Sequence, residues 1–131
     1  MPWTDDYIGL PFLADGRSRA GLDCWGLVRL VYFDRLGIDL PSKAGIYRDG
    51  SRDTLREIAA AMEAEAAKWR QVDDPRDCDV ILMRSGPLHC HVGLWVGRNA
   101  MLHIMAGIDS TVEPIASLRR RNTVVGYFRH D

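Results

Sequence analysis

A chain of 131 residues, 47% hydrophobic and 27% charged, has the size of one globular domain able to bury most of its apolar surface. A net charge of −1 argues against nucleic acid as the partner, since a binding stripe would lift the charge well above zero. No apolar run reaches membrane-spanning length, and the start, MPWTDDYIGL, lacks a basic segment followed by an apolar core. Synthesis in the cytoplasm without a signal peptide and without membrane insertion is therefore expected, in a single domain over residues 1–131.

In chain order, a turn-rich stretch, GLPFLADGRSRAGLD, comes first. Asp23 then suits the N-cap of a helix running to about Leu36, with Gly37 just past its end. Leu27, Val28 and Val31 continue the stripe that Cys24 begins. GIDLP closes this unit. A second helix is signalled by Thr54-x-x-Glu57, a capping-box pattern, and by Leu55, Ile58, Ala59, Met62, Ala66 and Trp69 at helical spacing.

QVDDPRD (71–77) breaks that pattern, and the period then changes to that of strands: DVILMR, HVGLWVG, AMLHIM, TVEPI and VVGYFRH. Helices followed by a five-stranded antiparallel sheet with one apolar face predict an α+β fold. Arg119-Arg120-Arg121 reads as a solvated turn.

Three cysteines, Cys24, Cys78 and Cys90, are too few and too odd in number for a disulfide framework. Cys24 differs from the others in its place, about the first residue of a helix, where the dipole favours a thiolate. Gly26 costs about 1 kcal/mol of helix propensity relative to alanine, which makes sense if the helix start presses on another backbone. The bland alternative is a small buried residue.

A thiolate nucleophile needs an imidazole. His130 lies next to the C-terminus, and His89 precedes the strand that holds His91. His91 and His103 each lie on an expected strand. His91, Gly93 and Trp95 share one face of theirs, where the missing side chains leave space for a helix end. A hairpin centred on Gly97 would set His91 directly opposite His103, with Cα atoms roughly 5 Å apart. A two-residue turn at Arg98-Asn99 would instead send them to opposite faces. The residues alone leave both registers open.

A zinc site is the rival use, because HCH at 89–91 and Cys78 offer soft ligands. Cys90, however, would point away from both histidines, and no CxxC or HExxH accompanies them. Asp5-Asp6 and Asp73-Asp74 read as solvated turn charges, Asp79 as the residue leading into its strand. No glycine-rich phosphate loop is present.

YIGLPFLADGRSRAGLDCWGLVRLVY…GIDLP, then DVILM, then HVGLWVG…MLHI, resembles the NlpC-type papain-like cysteine peptidases of cell-wall turnover, most nearly the branch in tailed-phage and prophage tail genes. The likeness runs from about Tyr7 to His103. By position it implies Cys24 as nucleophile, His91 as general base and His103 as the orienting residue. The family's twelve-residue histidine step is kept, which favours the register centred on Gly97.

There are departures. Trp25 follows the cysteine where serine is common, Phe12 stands where many members have tyrosine, and Cys78-Asp79 replaces the usual Gly-Asp. The resemblance implies hydrolysis of a stem-peptide amide in peptidoglycan, typically the D-γ-glutamyl–diaminopimelate bond. Phe12, Arg17, Arg19, Asp23 and Trp25 are then the expected substrate-binding residues, with no cofactor and no metal. It also implies a tail-associated protein acting at the cell wall, with other tail proteins as partners. A tail-assembly protein that keeps the fold without catalysis is the alternative.

Overall fold

The computed structural model describes residues 2–45, 51–85, 89–120 and 122–130, with Ser85 and His89 described by backbone alone. A 3-10 helix (Trp3–Tyr7) leads to two short paired strands, β1 (Arg17–Ser18) and β2 (Gly21–Leu22). Helix α1 (Cys24–Val31) follows directly and continues as a π-helical turn over Tyr32–Leu36. The expected helix therefore has its predicted span but not one winding. Gly37 ends it in the left-handed region, at φ 67°.

Helix α2 (Arg52–Ala66) begins one turn earlier than Thr54-x-x-Glu57 suggests. Ser51 is the N-cap and its Oγ accepts the Thr54 N–H at 3.2 Å. Thr54 is buried as the third helical residue.

Strands β3 (Arg70–Val72), β4 (Val80–Ser85), β5 (His89–Trp95), β6 (Ala100–Met105), β7 (Ile108–Pro114) and β8 (Thr123–Arg129) form one antiparallel sheet in the order β3-β8-β4-β5-β6-β7. It has six strands where five were expected. The added strand, β3, lies at the edge against β8, within a segment whose charges and proline read as a breaker. A short helix, α3 (Ile115–Leu118), links β7 to β8.

Both faces of the sheet are apolar, not one. Val80, Leu82, Val92, Leu94, Leu102 and Ile104 pack with Leu27, Val28 and Val31 of α1 and Ile58 and Met62 of α2. On the other face Ile81, Met83 and Met101 meet Ile115 and Leu118. The unbroken run VILM in β4 is what a strand buried on both faces requires. The N-terminal segment covers the far edge. Gly9 donates to the Ser110 carbonyl of β7 and Ser110 donates to that of Leu10, while the Ser110 hydroxyl bridges Leu10 N–H and the Tyr7 carbonyl.

Candidate active site

The start of α1 is held from below and from the side. Asp23, in extended conformation, accepts the Gly26 N–H at 2.8 Å through Oδ1, and its carbonyl accepts the Leu27 N–H. The same Oδ1 takes a 2.7 Å hydrogen bond from Arg17, whose guanidinium also donates to the carbonyls of Gly16, Ser42 and Lys43. A Cβ on Gly26 would overlap the Gly16 carbonyl oxygen, so the helix start does press on another backbone, as its glycine suggests. Burial pushes the Asp23 carboxyl above its ordinary pKa, a rise opposed by the Arg17 and Gly26 hydrogen bonds. Cys24 is thus the first residue of an anchored helix, 8% exposed.

Helix α1 packs on β5 and β6, the strands that carry the histidines. Leu94 pairs with Leu102 and Trp95 with Met101, which centres the hairpin on Arg98. Neither expected register occurs. The connection is a three-residue loop, Gly97-Arg98-Asn99, with φ of 88°, 53° and 54°. This register keeps His91 and His103 on one face but sets them diagonally rather than opposite. The long imidazoles close the diagonal: His91 Nε2 lies 2.9 Å from His103 Nδ1. On the outer side, His103 Nε2 lies 3.2 Å from Oε1 of Glu113 on β7. Both histidines are buried, His103 to 1% exposure. The space beside His91 at Gly93 is filled by Met101, whose Cε would lie 2.7 Å from a Cβ there, and not by a helix end.

The sequence profile of the NlpC/P60 family matches residues 9–125. The chain belongs to the NlpC/P60 family. A murein DD-endopeptidase/LD-carboxypeptidase, MepS, of Escherichia coli K12 is 26% identical over 98 residues, covering 75% of this chain and 44% of that protein. A γ-D-glutamyl-L-lysine dipeptidyl-peptidase of Bacillus subtilis is 32% identical over 101 residues, covering 74% of this chain and 28% of that protein. The chain thus spans less than half the length of either. The NlpC/p60 domain of the peptidoglycan hydrolase SagA superposes with a TM-score of 0.65 at 19% identity, over 97% of this chain and 92% of that one. The fold is the papain-like α+β fold of the family.

The remaining expected site residues of this NlpC/P60 chain have differing surroundings. Phe12 is half-buried and bridges Leu22, one residue before the Asp23 cap. Trp25 is 2% exposed in the core, with its Nε1 donating to the Pro41 carbonyl. Arg17 and Asp23 bind each other and the backbone and so support the helix start, with Asp15 3.7 Å from the Arg17 guanidinium. Arg19 turns to Asp34 and the Asp6 carbonyl, with its guanidinium over the Tyr7 ring. Asp79 leads directly into β4, as expected. It is buried and holds Arg129 through both oxygens, at 3.0 and 2.7 Å.

Burial pushes the thiols of Cys78 and Cys90 up, which leaves both poor nucleophiles. Both join the core cluster, and among the described residues no three His, Cys, Asp or Glu side chains are arranged to hold a metal ion. The side chain of His89 lies outside them, as does Arg121; Arg119 and Arg120 are exposed. Glu113 is the residue that sequence reasoning missed. Its only signal was an acidic residue in TVEPI, which counted as an ordinary strand.

Proposed function

We propose that the chain is a cysteine peptidase that hydrolyses an amide in the stem peptides of peptidoglycan, with the D-γ-glutamyl–diaminopimelate bond as its target. What supports this is the His91–His103 pair at 2.9 Å on the strands packed under the Cys24 helix, in a chain of the NlpC/P60 family. The matched relatives named for murein and γ-D-glutamyl-L-lysine cleavage point to the same class of substrate.

In this reading His91 takes the Cys24 proton, and the helix dipole favours the thiolate. Sulfur bonds to the substrate carbonyl carbon, and amides at the helix start stabilise the oxyanion. His91 returns its proton to the leaving amine. Water, deprotonated by His91, then cleaves the thioester and frees the acid. His103 keeps the His91 ring in position.

The test is a mass-spectrometric digest of defined diaminopimelate muropeptides by wild type, Cys24→Ala, His91→Ala and His103→Ala. Wild-type products that vanish with Cys24→Ala are expected, and their masses name the bond. No products from wild type, with Cys24 alkylating no faster than a free cysteine near neutral pH, would instead favour the assembly role. We further propose that the protein is made in the cytoplasm and carried in a phage or prophage tail to the wall. The motive is its resemblance to tail-gene members. Particles purified from a producing strain should contain the chain, and its consistent absence from them overturns this location.

A further inference from the structure

Two imidazoles in contact have no built-in direction. Either His91 donates from Nε2 to a bare Nδ1 of His103, or His103 donates from Nδ1 to a bare Nε2 of His91. The two arrangements have the same heavy-atom geometry and opposite chemistry. In the second, the remaining hydrogen of a neutral His91 sits on Nδ1, and neither of its nitrogens can take a thiol proton while the pair stays intact. Something has to choose between them.

Glu113 lies at the end of the line. Across β6 and β7, His103 pairs with Thr111 and Met101 with Glu113, so Glu113 is one diagonal step from His103 on the same face. His91 reaches His103 by a similar diagonal on the other side. The result is a row across three adjacent strands: Glu113 Oε1, 3.2 Å to His103 Nε2, then His103 Nδ1, 2.9 Å to His91 Nε2. The inner imidazole is buried, and the Glu113 side chain is 25% exposed.

We propose that Glu113 is a positioning residue that sets which nitrogen of each imidazole carries the hydrogen, an inference that rests on the catalytic reading of Cys24 and His91 above. A carboxylate has acceptors only. The hydrogen of neutral His103 therefore lies on Nε2, pointing at Glu113. Its Nδ1 is then bare and accepts, so His91 must donate from Nε2. Nδ1 of His91 is left as the acceptor, which is the form a general base needs. One charge at the edge of the sheet orders two rings in series.

The experiment uses the full chain labelled with 15N and reads the ring nitrogens by long-range 1H–15N spectra, on the alkaline side of the histidine titration. Wild type is expected to show both His91 and His103 in the Nε2–H form. Glu113→Ala is expected to show mixed tautomers in both rings and a kcat lowered about tenfold at unchanged KM on the cleaved muropeptide. Glu113→Gln keeps the shape and an acceptor oxygen but loses the charge, and it should fall between the two. It also carries the test if the alanine variant does not fold.

A hydrogen on Nδ1 of either ring in wild type overturns the proposal. So do unchanged tautomers and kcat in Glu113→Ala. The spectra need no substrate, so they judge the proposal even if wild type cleaves nothing. Cleavage that survives Glu113→Ala intact would defeat it and leave the peptidase reading standing.

Discussion

Gly26 shows at the scale of one residue how closely the thiol's helix is held. Alanine there would gain about 1 kcal/mol in helix propensity. It would also push a Cβ into the Gly16 carbonyl, a backbone atom that cannot swing aside, and bring it to 3.3 Å from the Asp23 Oδ1 that caps the helix. Overlap wins, and Gly26→Ala should lose about 2 kcal/mol in urea unfolding. A neutral or stabilised variant would mean that the close approach is not real. Asp23, Cys24 and Gly26 were legible because a cap, a helix start and a tight glycine are local features. The burial of Trp25 was not legible in the same way: adjacency in sequence suggested adjacency to the chemistry, but one step along a helix turns a side chain by about 100°. That turn takes the indole into the core.

Elements were legible where the hydrophobic period was strong, and registers were not. The five expected strands and two expected helices could be placed to within a few residues, whereas the histidine geometry depends on how many residues the β5–β6 turn holds. Three consecutive residues of positive φ, two of them Arg98 and Asn99, leave no sharp sequence signal. Glu113 was invisible for the same reason, since only the β6–β7 register brings it to His103. Strand β3 was hidden by its short length and polar composition. The clamp between β4 and β8 shows what such pairing rests on. Asp79 is almost wholly buried, and it both accepts the Arg76 N–H and binds Arg129. Asp79→Asn would strand the Arg129 charge and cost about 3 kcal/mol. A urea midpoint within error of wild type would show that the pair is only superficial.

Across the whole molecule, two buried acids give its stability opposite responses to pH. Burial opposes ionisation of Glu65, but the Trp69 indole N–H at 2.9 Å and Lys43 at 3.0 Å more than offset it, so its pKa lies below the ordinary 4.5. The unfolded chain then holds the proton more tightly. Stability from Glu65 is present above 4.5 and is lost as pH falls through the folded value. Asp23 has its pKa raised above 3.8, so its contribution is lost as pH rises from there through its folded value. Trp69→Phe removes the indole donor, and its urea midpoint should fall less steeply than that of wild type between roughly pH 5 and pH 3. Parallel curves would mean that the indole does not hold the carboxylate.

The strap of Gly9 and Leu10 along Ser110 also has a consequence in time. Chain made early waits for chain made late: the thiol at residue 24 leaves the ribosome well before the histidine row at 91, 103 and 113, and the strap cannot dock until Ser110 has followed. A nascent chain therefore carries a cysteine with no base. Whatever bond the finished chain cuts, the order of synthesis keeps the thiol and its histidine row apart until translation has passed Glu113.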